Sequence, residues 1–148
     1  MNRSLVSVCI PCHNAAPYVG EAIESILNQT WQRIEVIVVN DSSSDNSQEV
    51  LAKYHRLNGI KVIDATFASA AKSRNLAYTA AKGDWIKFFD ADDLLSPDAI
   101  EAQVNRLKGR RDAVASARWG RFYGNDLASF VANQQDVWRD MKGTDWLI

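Results

Sequence analysis

The sequence predicts an α/β fold, with a mostly parallel sheet carrying helices on both faces. Two observations lead there. Short β-branched apolar runs alternate four times with segments whose apolar residues recur at helical spacing. Polar residues then gather where each run ends, at Pro11 to Asn14, Asp41, Asp64 and Asp90 to Asp93. In parallel sheets ligands bind outside the carboxyl ends of the strands, so residues far apart in sequence converge on one edge.

Leu5 to Pro11 is nearly continuously apolar and reads as a buried strand. His13 and Asn14 follow in a loop, and Pro17 can open a helix. Val19, Ile23, Ile26 and Leu27 give that helix its apolar face through Gln29. Ile34 to Asn40 is a second buried strand. Asp41 to Ser47 is a polar loop of turn and N-cap residues. Val50, Leu51 and Tyr54 mark a second helix. Ile60 to Ala65 is a third strand, shorter and nearer an edge. Thr66 to Ser69 is a loop. Ala70 to Lys82 is alanine-rich without glycine or proline, a good helix by propensity, and Gly83 is placed to end it. Trp85 to Phe89 is the fourth strand. Ser96, Pro97 and Asp98 start another helix, with Ile100, Val104 and Leu107 on one face. Ala113 to Tyr123 is strand-like. Beyond Asn125 the pattern predicts a helix carrying Leu127, Phe130 and Val131.

The 148 residues suit one domain, and a content of 47% hydrophobic and 24% charged residues is ordinary for a soluble protein. A net charge of −1 gives no electrostatic case for nucleic acid. No apolar run approaches the ~20 residues of a membrane span, which leaves peripheral membrane association as the only membrane contact to expect. Cys9 and Cys12 are spaced Cys-x-x-Cys, but a zinc site wants more partners than His13 alone. A redox pair belongs at a helix start, whereas Cys9 lies within a strand. The expectation is two free thiols in a reducing, cytoplasmic setting.

The fourth strand ends in Asp90, Asp92 and Asp93. Neighbouring carboxylates repel and raise one another's pKa. A hard divalent cation with oxygen ligands removes that conflict.

Four motifs occur in order: Val-Ser-Val-Cys-Ile-Pro-Cys-His-Asn, Val-Val-Asn-Asp-Ser-Ser-Ser-Asp, Lys-Ser-Arg-Asn-Leu-Ala, and Lys-Gly-Asp-Trp-Ile-Lys-Phe-Phe-Asp-Ala-Asp-Asp. Together they resemble the family 2 glycosyltransferases of the Rossmann-like GT-A nucleotide-binding fold, over roughly residues 4 to 109. The resemblance implies a nucleotide-diphosphate-sugar donor, usually of uridine, and Mn²⁺ or Mg²⁺. Pro11, His13 and Asn14 match the segment that lies along the base, with His13 where an aromatic residue often stands. Asp41 matches the acid that recognises the uracil ring; a turn or capping residue is its structural alternative. Arg74 matches the arginine that meets a base carbonyl or a phosphate. Asp90, Ala91 and Asp92 match the metal and nucleotide motif, with Asp92 on the metal and Asp90 on the ribose or in the metal shell. Asp93 supports them or leads into the next loop. The sequence departs from the pattern before Arg74, where an expected glycine is missing and Ala68 and Ser69 stand in its region.

The resemblance also implies inversion, with a carboxylate general base deprotonating the acceptor hydroxyl. Asp126, Asp136, Asp140 and Asp145 are the late carboxylates, and none matches that base. Three of the five tryptophans fall in the last thirty residues, and the apolar ending Trp146-Leu147-Ile148 reads as a chain cut short. The expected organisation is a single GT-A-like domain over 1–148, with a nucleotide-sugar-binding part at 4–109 and the start of an incomplete acceptor part at 110–148. The acceptor, whether saccharide, lipid or protein, is open. A non-catalytic nucleotide-binding fragment or a degenerate transferase is the alternative. A metal-dependent phosphotransferase fits less well, because such enzymes place their Asp pair after the first strand.

Overall fold

Four apolar runs become the four parallel strands of one sheet, in the order β3-β2-β1-β4. They are β1 (Val6–Cys12), β2 (Ile34–Asp41), β3 (Ile60–Ala65) and β4 (Trp85–Phe88). Three helices connect them: α1 (Val19–Leu27), α2 (Ser47–Ala52) and α3 (Ala70–Ala80). The computed structural model describes residues 4–110, 112–123 and 126–132. The chain divides into two compact units, Met1–Ile100 and Glu101–Ile148.

The strand order explains why helices cover both faces. From β1 through β2 to β3 the chain steps one way across the sheet, so right-handed crossovers put α1 and α2 on one face. The next crossover steps back past β2 and β1 to β4, so α3 falls on the other face. There α3 buries Ala77 against Cys9, Ile37 and Val39, with Leu76, Ile63 and Ile86 around them. Val8, Ile10, Val36 and Val38 alternate with these residues and face α1 and α2; all four are essentially buried. Each such side chain contributes about 1.5–3 kcal/mol relative to exposure.

On α1 the buried residues are Val19, Ala22, Ile23 and Ile26, a stripe at helical spacing. Leu27, expected on that face, is 41% exposed, and Ala22 takes its place. Gln29, just beyond α1, is 1% exposed and fully bonded. Its amide donates to Ser25 O and Ser96 O, and its Oε1 accepts from Ile100 N–H.

Gly83 does a different job from the expected one. The residue after α3 is Ala81, in an extended conformation, so no left-handed glycine ends the helix. Gly83 instead lies against β1. A Cβ there would sit 2.5 Å from Ser7 Oγ and 2.7 Å from Ser7 N. Gly83 N–H donates to the buried Ser7 Oγ, which in turn donates to Glu35.

In the second unit, α4 (Ala99–Leu107) begins in the first unit and ends in this one. Beyond it β5 (Gly120–Tyr123) pairs antiparallel with β6 (Asp126–Ala132), and 113–119 has no regular structure. The expected helix carrying Leu127, Phe130 and Val131 is therefore a strand. Its helical spacing marked no buried stripe, since these side chains are 62%, 50% and 62% exposed. The register also shifts between Arg121 and Tyr123. A shift of that kind breaks the two-residue alternation by which a strand is recognised. The predicted late carboxylates Asp136, Asp140 and Asp145 lie outside the described residues.

Candidate functional site

Pro11 opens the site. Phe89 N–H donates to Cys9 O, and by alternation the next β1 residue turned toward β4 is Pro11. Pro11 has no N–H to give, so pairing with β4 stops and the two strand ends part. The gap falls where the strand order reverses, the position at which open parallel sheets bind ligands.

A cavity of about 430 Å³ occupies this edge, within the range of small-molecule sites. All eight residues picked from the sequence line it: Pro11, His13, Asn14, Asp41, Arg74, Asp90, Ala91 and Asp92. The lining also includes residues given no site role from the sequence, among them Cys12, Tyr18, Ser69 and Ser73. Tyr18 is 54% exposed on the rim. Its place in the sequence carried no sign of the cavity.

Loops after β1 and β2 hold each other. Asn14 sits at φ +50°, in the left-handed region that asparagine tolerates. Its Oδ1 accepts from Ser44 N–H and from the Ser44 hydroxyl, and its own N–H donates to Ser43 Oγ. Asp45 accepts from Ala16 N–H and from Ser47 N–H and Oγ–H. The Ser47 hydroxyl, followed by Ala16 N–H, holds the Asp45 carboxyl below its usual range. Burial pushes the Cys12 thiol up, so it stays a neutral thiol in the wall.

His13 Nδ1 lies 2.7 Å from Asp41 O. A carbonyl only accepts, so Nδ1 carries the proton. Nε2 is then an acceptor, in keeping with the Asn14 amide 3.3 Å away. The ring is exposed and fixed by the end of β2.

Asp41 is the most heavily bonded group in the site. It is 3% exposed. Its Oδ1 accepts from Phe67 N–H (2.6 Å), Ala68 N–H (2.9 Å) and the Ser42 hydroxyl (3.1 Å). Its Oδ2 accepts from Ser69 N–H (2.8 Å) and the Ser73 hydroxyl (2.9 Å). A carboxylate offers about four lone-pair directions, and these donors take them. The Ser69 bond, then those of Ala68, Ser73 and Phe67, hold the carboxyl far below the ordinary range, against the opposing effect of desolvation. Ala68 itself has φ +49°. An alanine here holds the left-handed conformation that glycine adopts most readily.

Ser69 caps α3, its hydroxyl accepting from Lys72 N–H. One turn on, Arg74 forms an ion pair with Asp90. The pair bridges α3 and the end of β4, with its members 37% and 52% exposed. Asp93 N–H donates to Asp90 O at 3.3 Å, closing the turn that gathers the three acids. Desolvation, then the charges of Asp90 and Asp92, push the Asp93 carboxyl up, while Lys87 acts the other way. Burial lowers the Lys87 pKa, opposed by Asp93. Such mutually repelling oxygen donors suit a hard cation. Among the described residues no three His, Cys, Asp or Glu side chains group closely enough to hold an ion alone.

The model of glycosyl transferase family 2 matches residues 7–143. The chain belongs to that family. Relatives within glycosyltransferases include GlyG of Streptococcus pneumoniae serotype 4, 33% identical over 82% of this chain and 40% of its own length. YibD of Escherichia coli strain K12, an uncharacterised glycosyltransferase, is 33% identical over 96% of this chain and 42% of its own. The chain thus spans less than half the length of these relatives. Among solved structures, S. aureus TarS 1–349 in complex with UDP-GlcNAc superposes with a TM-score of 0.65 at 27% identity, over 70% of this chain and 31% of that one. The mannosyltransferase PcManGT of Pyrobaculum calidifontis shares the fold, with a TM-score of 0.68 at 24% identity over 74% of this chain and 34% of that one. The family 2 chain described here therefore has the GT-A fold.

Proposed function

We propose that this chain carries the donor half of a metal-dependent, inverting glycosyltransferase that uses a UDP-sugar and an acceptor hydroxyl. The observation behind this reading is the convergence of the eight motif residues on one cavity. A family relative solved with UDP-GlcNAc favours uridine as the base. In this reading the base lies along Pro11 to Asn14 and stacks on His13. Arg74 meets a base carbonyl or a phosphate with its fixed fork of donors. Asp92, with Asp90, holds Mn²⁺ or Mg²⁺, and Asp90 with Ala91 flanks the ribose.

Transfer displaces UDP from the anomeric carbon, and negative charge builds on the departing diphosphate. A divalent cation bound there supplies charge stabilisation. Where Arg74 meets a phosphate, it adds a second positive group there. Before donor arrives, the Arg74–Asp90 pair balances these two charges. Inversion requires a general base on the acceptor side, and that role is assigned to no residue of this chain. We place the protein in a reducing, cytoplasmic setting, in keeping with the free, buried Cys9 and Cys12. No helix among the described residues is long and apolar enough to cross a membrane.

Calorimetric titration with UDP, GDP, CDP and ADP, each with and without Mn²⁺, tests the reading. UDP should bind most tightly, and Mn²⁺ should strengthen it. A chain that binds none of them under either condition would overturn the assignment.

A further inference from the structure

We propose that the donor site is proton-sensitive: nucleotide binds the neutral form of His13, and a second proton on that ring, at Nε2, repels Asn14 and weakens donor binding. The inference rests on the donor-site reading and adds a regulation of the same site.

Two main-chain anchors fix the protons that this pair carries. At one end His13 Nδ1 lies 2.7 Å from Asp41 O. A carbonyl only accepts, so the neutral ring keeps its proton on Nδ1 and a lone pair on Nε2. At the other end Asn14 Oδ1 lies 2.8 Å from Ser44 N and 3.4 Å from Asp45 N. A backbone N–H only donates, which settles the orientation of the amide and leaves Nδ2 facing the ring. Nδ2 donates to Nε2 at 3.3 Å. That contact is attractive only while Nε2 is bare. An imidazolium presents N–H there against the amide N–H groups, donor to donor.

Neither partner turns away freely. Rotating the ring forfeits Asp41 O, and turning the amide over sets its Nδ2 against Ser44 N–H. The Asn14 main chain is held as well, at φ +50° with its N–H on Ser43 Oγ. The repulsion therefore falls on the link between the loops after β1 and β2. The titratable groups around the ring are Asp41 and Asp45 on the β2 side, Tyr18 at the start of α1, and Arg74, Asp90 and Asp92 across the cavity. The Asp41 and Asp45 carboxylates accept from Phe67, Ala68, Ser69 and Ser73, and from Ala16 and Ser47. Asp90 pairs with Arg74. Among the described residues, Nε2 bonds to no carboxylate that would stabilise a second proton.

Histidine is the side chain whose ordinary titration falls between about pH 5 and 8. A base stacked on the ring also strips water from it, which disfavours the charged form. Binding and protonation then oppose each other, and apparent affinity follows the fraction of neutral ring. By reciprocity, nucleotide lowers the pH at which the ring takes its second proton.

The chain has two histidines, His13 and His55. His55 lies outside the cavity lining and serves as the internal control. Both rings are followed by NMR from about pH 5 to 8, with and without saturating UDP and Mg²⁺. UDP should lower the His13 midpoint by at least about half a pH unit and leave that of His55 in place. A His13 midpoint that UDP leaves unmoved or raises overturns the proposal. Calorimetric UDP titrations near pH 8 and near about pH 5.5 then test the route through Asn14, since the phosphates of UDP titrate alike for every variant. The unaltered chain should lose about fivefold more affinity over that range than His13→Phe, which has no proton to gain. In Asn14→Asp the side chain accepts from Nε2–H, so the excess loss should shrink to within about twofold. An excess loss as large in Asn14→Asp as in the unaltered chain overturns the proposal, as does equal loss in the unaltered chain and His13→Phe. The ring titration needs no variant and decides the matter should either variant fail to fold. An unaltered chain that binds no UDP at any pH removes the donor-site reading itself, whereas one that binds UDP with the His13 midpoint unmoved removes the proton sensitivity alone.

Discussion

Asp41 and Asp92 both stand at strand ends, yet their surroundings give them opposite chemistry. Asp41 is enclosed by donors, whereas Asp92 is exposed beside Asp90 and Asp93. Removing the Asp92 charge leaves no buried donor stranded. Asp92→Asn should therefore melt close to the unaltered protein while losing at least about tenfold of its Mn²⁺-dependent UDP affinity. Equal affinity with and without the substitution would take Asp92 out of the metal site. Asp41 should announce itself through acid instead. Its carboxyl is held below the usual range, so its contribution to stability is full above the unfolded value of ~3.9. That contribution is lost as pH falls from there toward the folded value. The melting-temperature gap between the unaltered chain and Asp41→Asn should be wide near about pH 6 and narrow toward about pH 3. A gap independent of pH would mean the carboxylate is not preferentially charged in the folded state. None of this enclosure was legible in the sequence. Asp41 could be placed at a strand end, but Ser73 and the amides of 67–69 come from beyond the third strand, and only the crossover brings them over it.

The two central strands, β1 and β2, were legible because they are buried nearly throughout, which writes a continuous apolar run into the chain. At the edge, β3 is only partly buried, yet Ile60, Val62 and Ile63 still marked it, and its bounds, Ile60–Ala65, coincide with the expected ones. The β5–β6 pair was not legible, since its side chains are exposed and its register shifts. Gly83 shows a subtler gap: a glycine after a helix reads as a cap, while its real constraint is a neighbouring strand that no local pattern reveals. That constraint gives a prediction for the elements. Gly83→Ala would drive a methyl group to 2.5 Å from Ser7 Oγ and 2.9 Å from Trp85 O. Both are held in the sheet, so neither can retreat as a flexible side-chain tip would. The substitution should destabilise the protein by about 1–3 kcal/mol, measured by urea unfolding. Stability equal to the unaltered chain would show that β4 can shift away from β1.

For the molecule, the consequence of this topology is that four separated segments share one cavity: 11–18, 41, 68–74 and 90–92. No one of them is a site by itself, and the resemblance to family 2 identified them only as an ordered set. Their dependence on one another can be measured. Amides in loops exchange through local openings that leave the rest of the fold intact. A ligand suppresses only those openings that destroy its site, by about 2.7 kcal/mol at a concentration one hundred times its dissociation constant. Opening any of the four segments dismantles the same cavity. With UDP and Mn²⁺ present, hydrogen exchange should therefore slow in all four. The turn between α2 and β3, residues 53–59, contributes nothing to the lining, and its exchange should stay as it was. If nucleotide binds and slows 11–18 but leaves 67–74 unchanged, Arg74 and its loop are not part of the bound site, and the donor occupies only the β1 side of the gap that Pro11 opens.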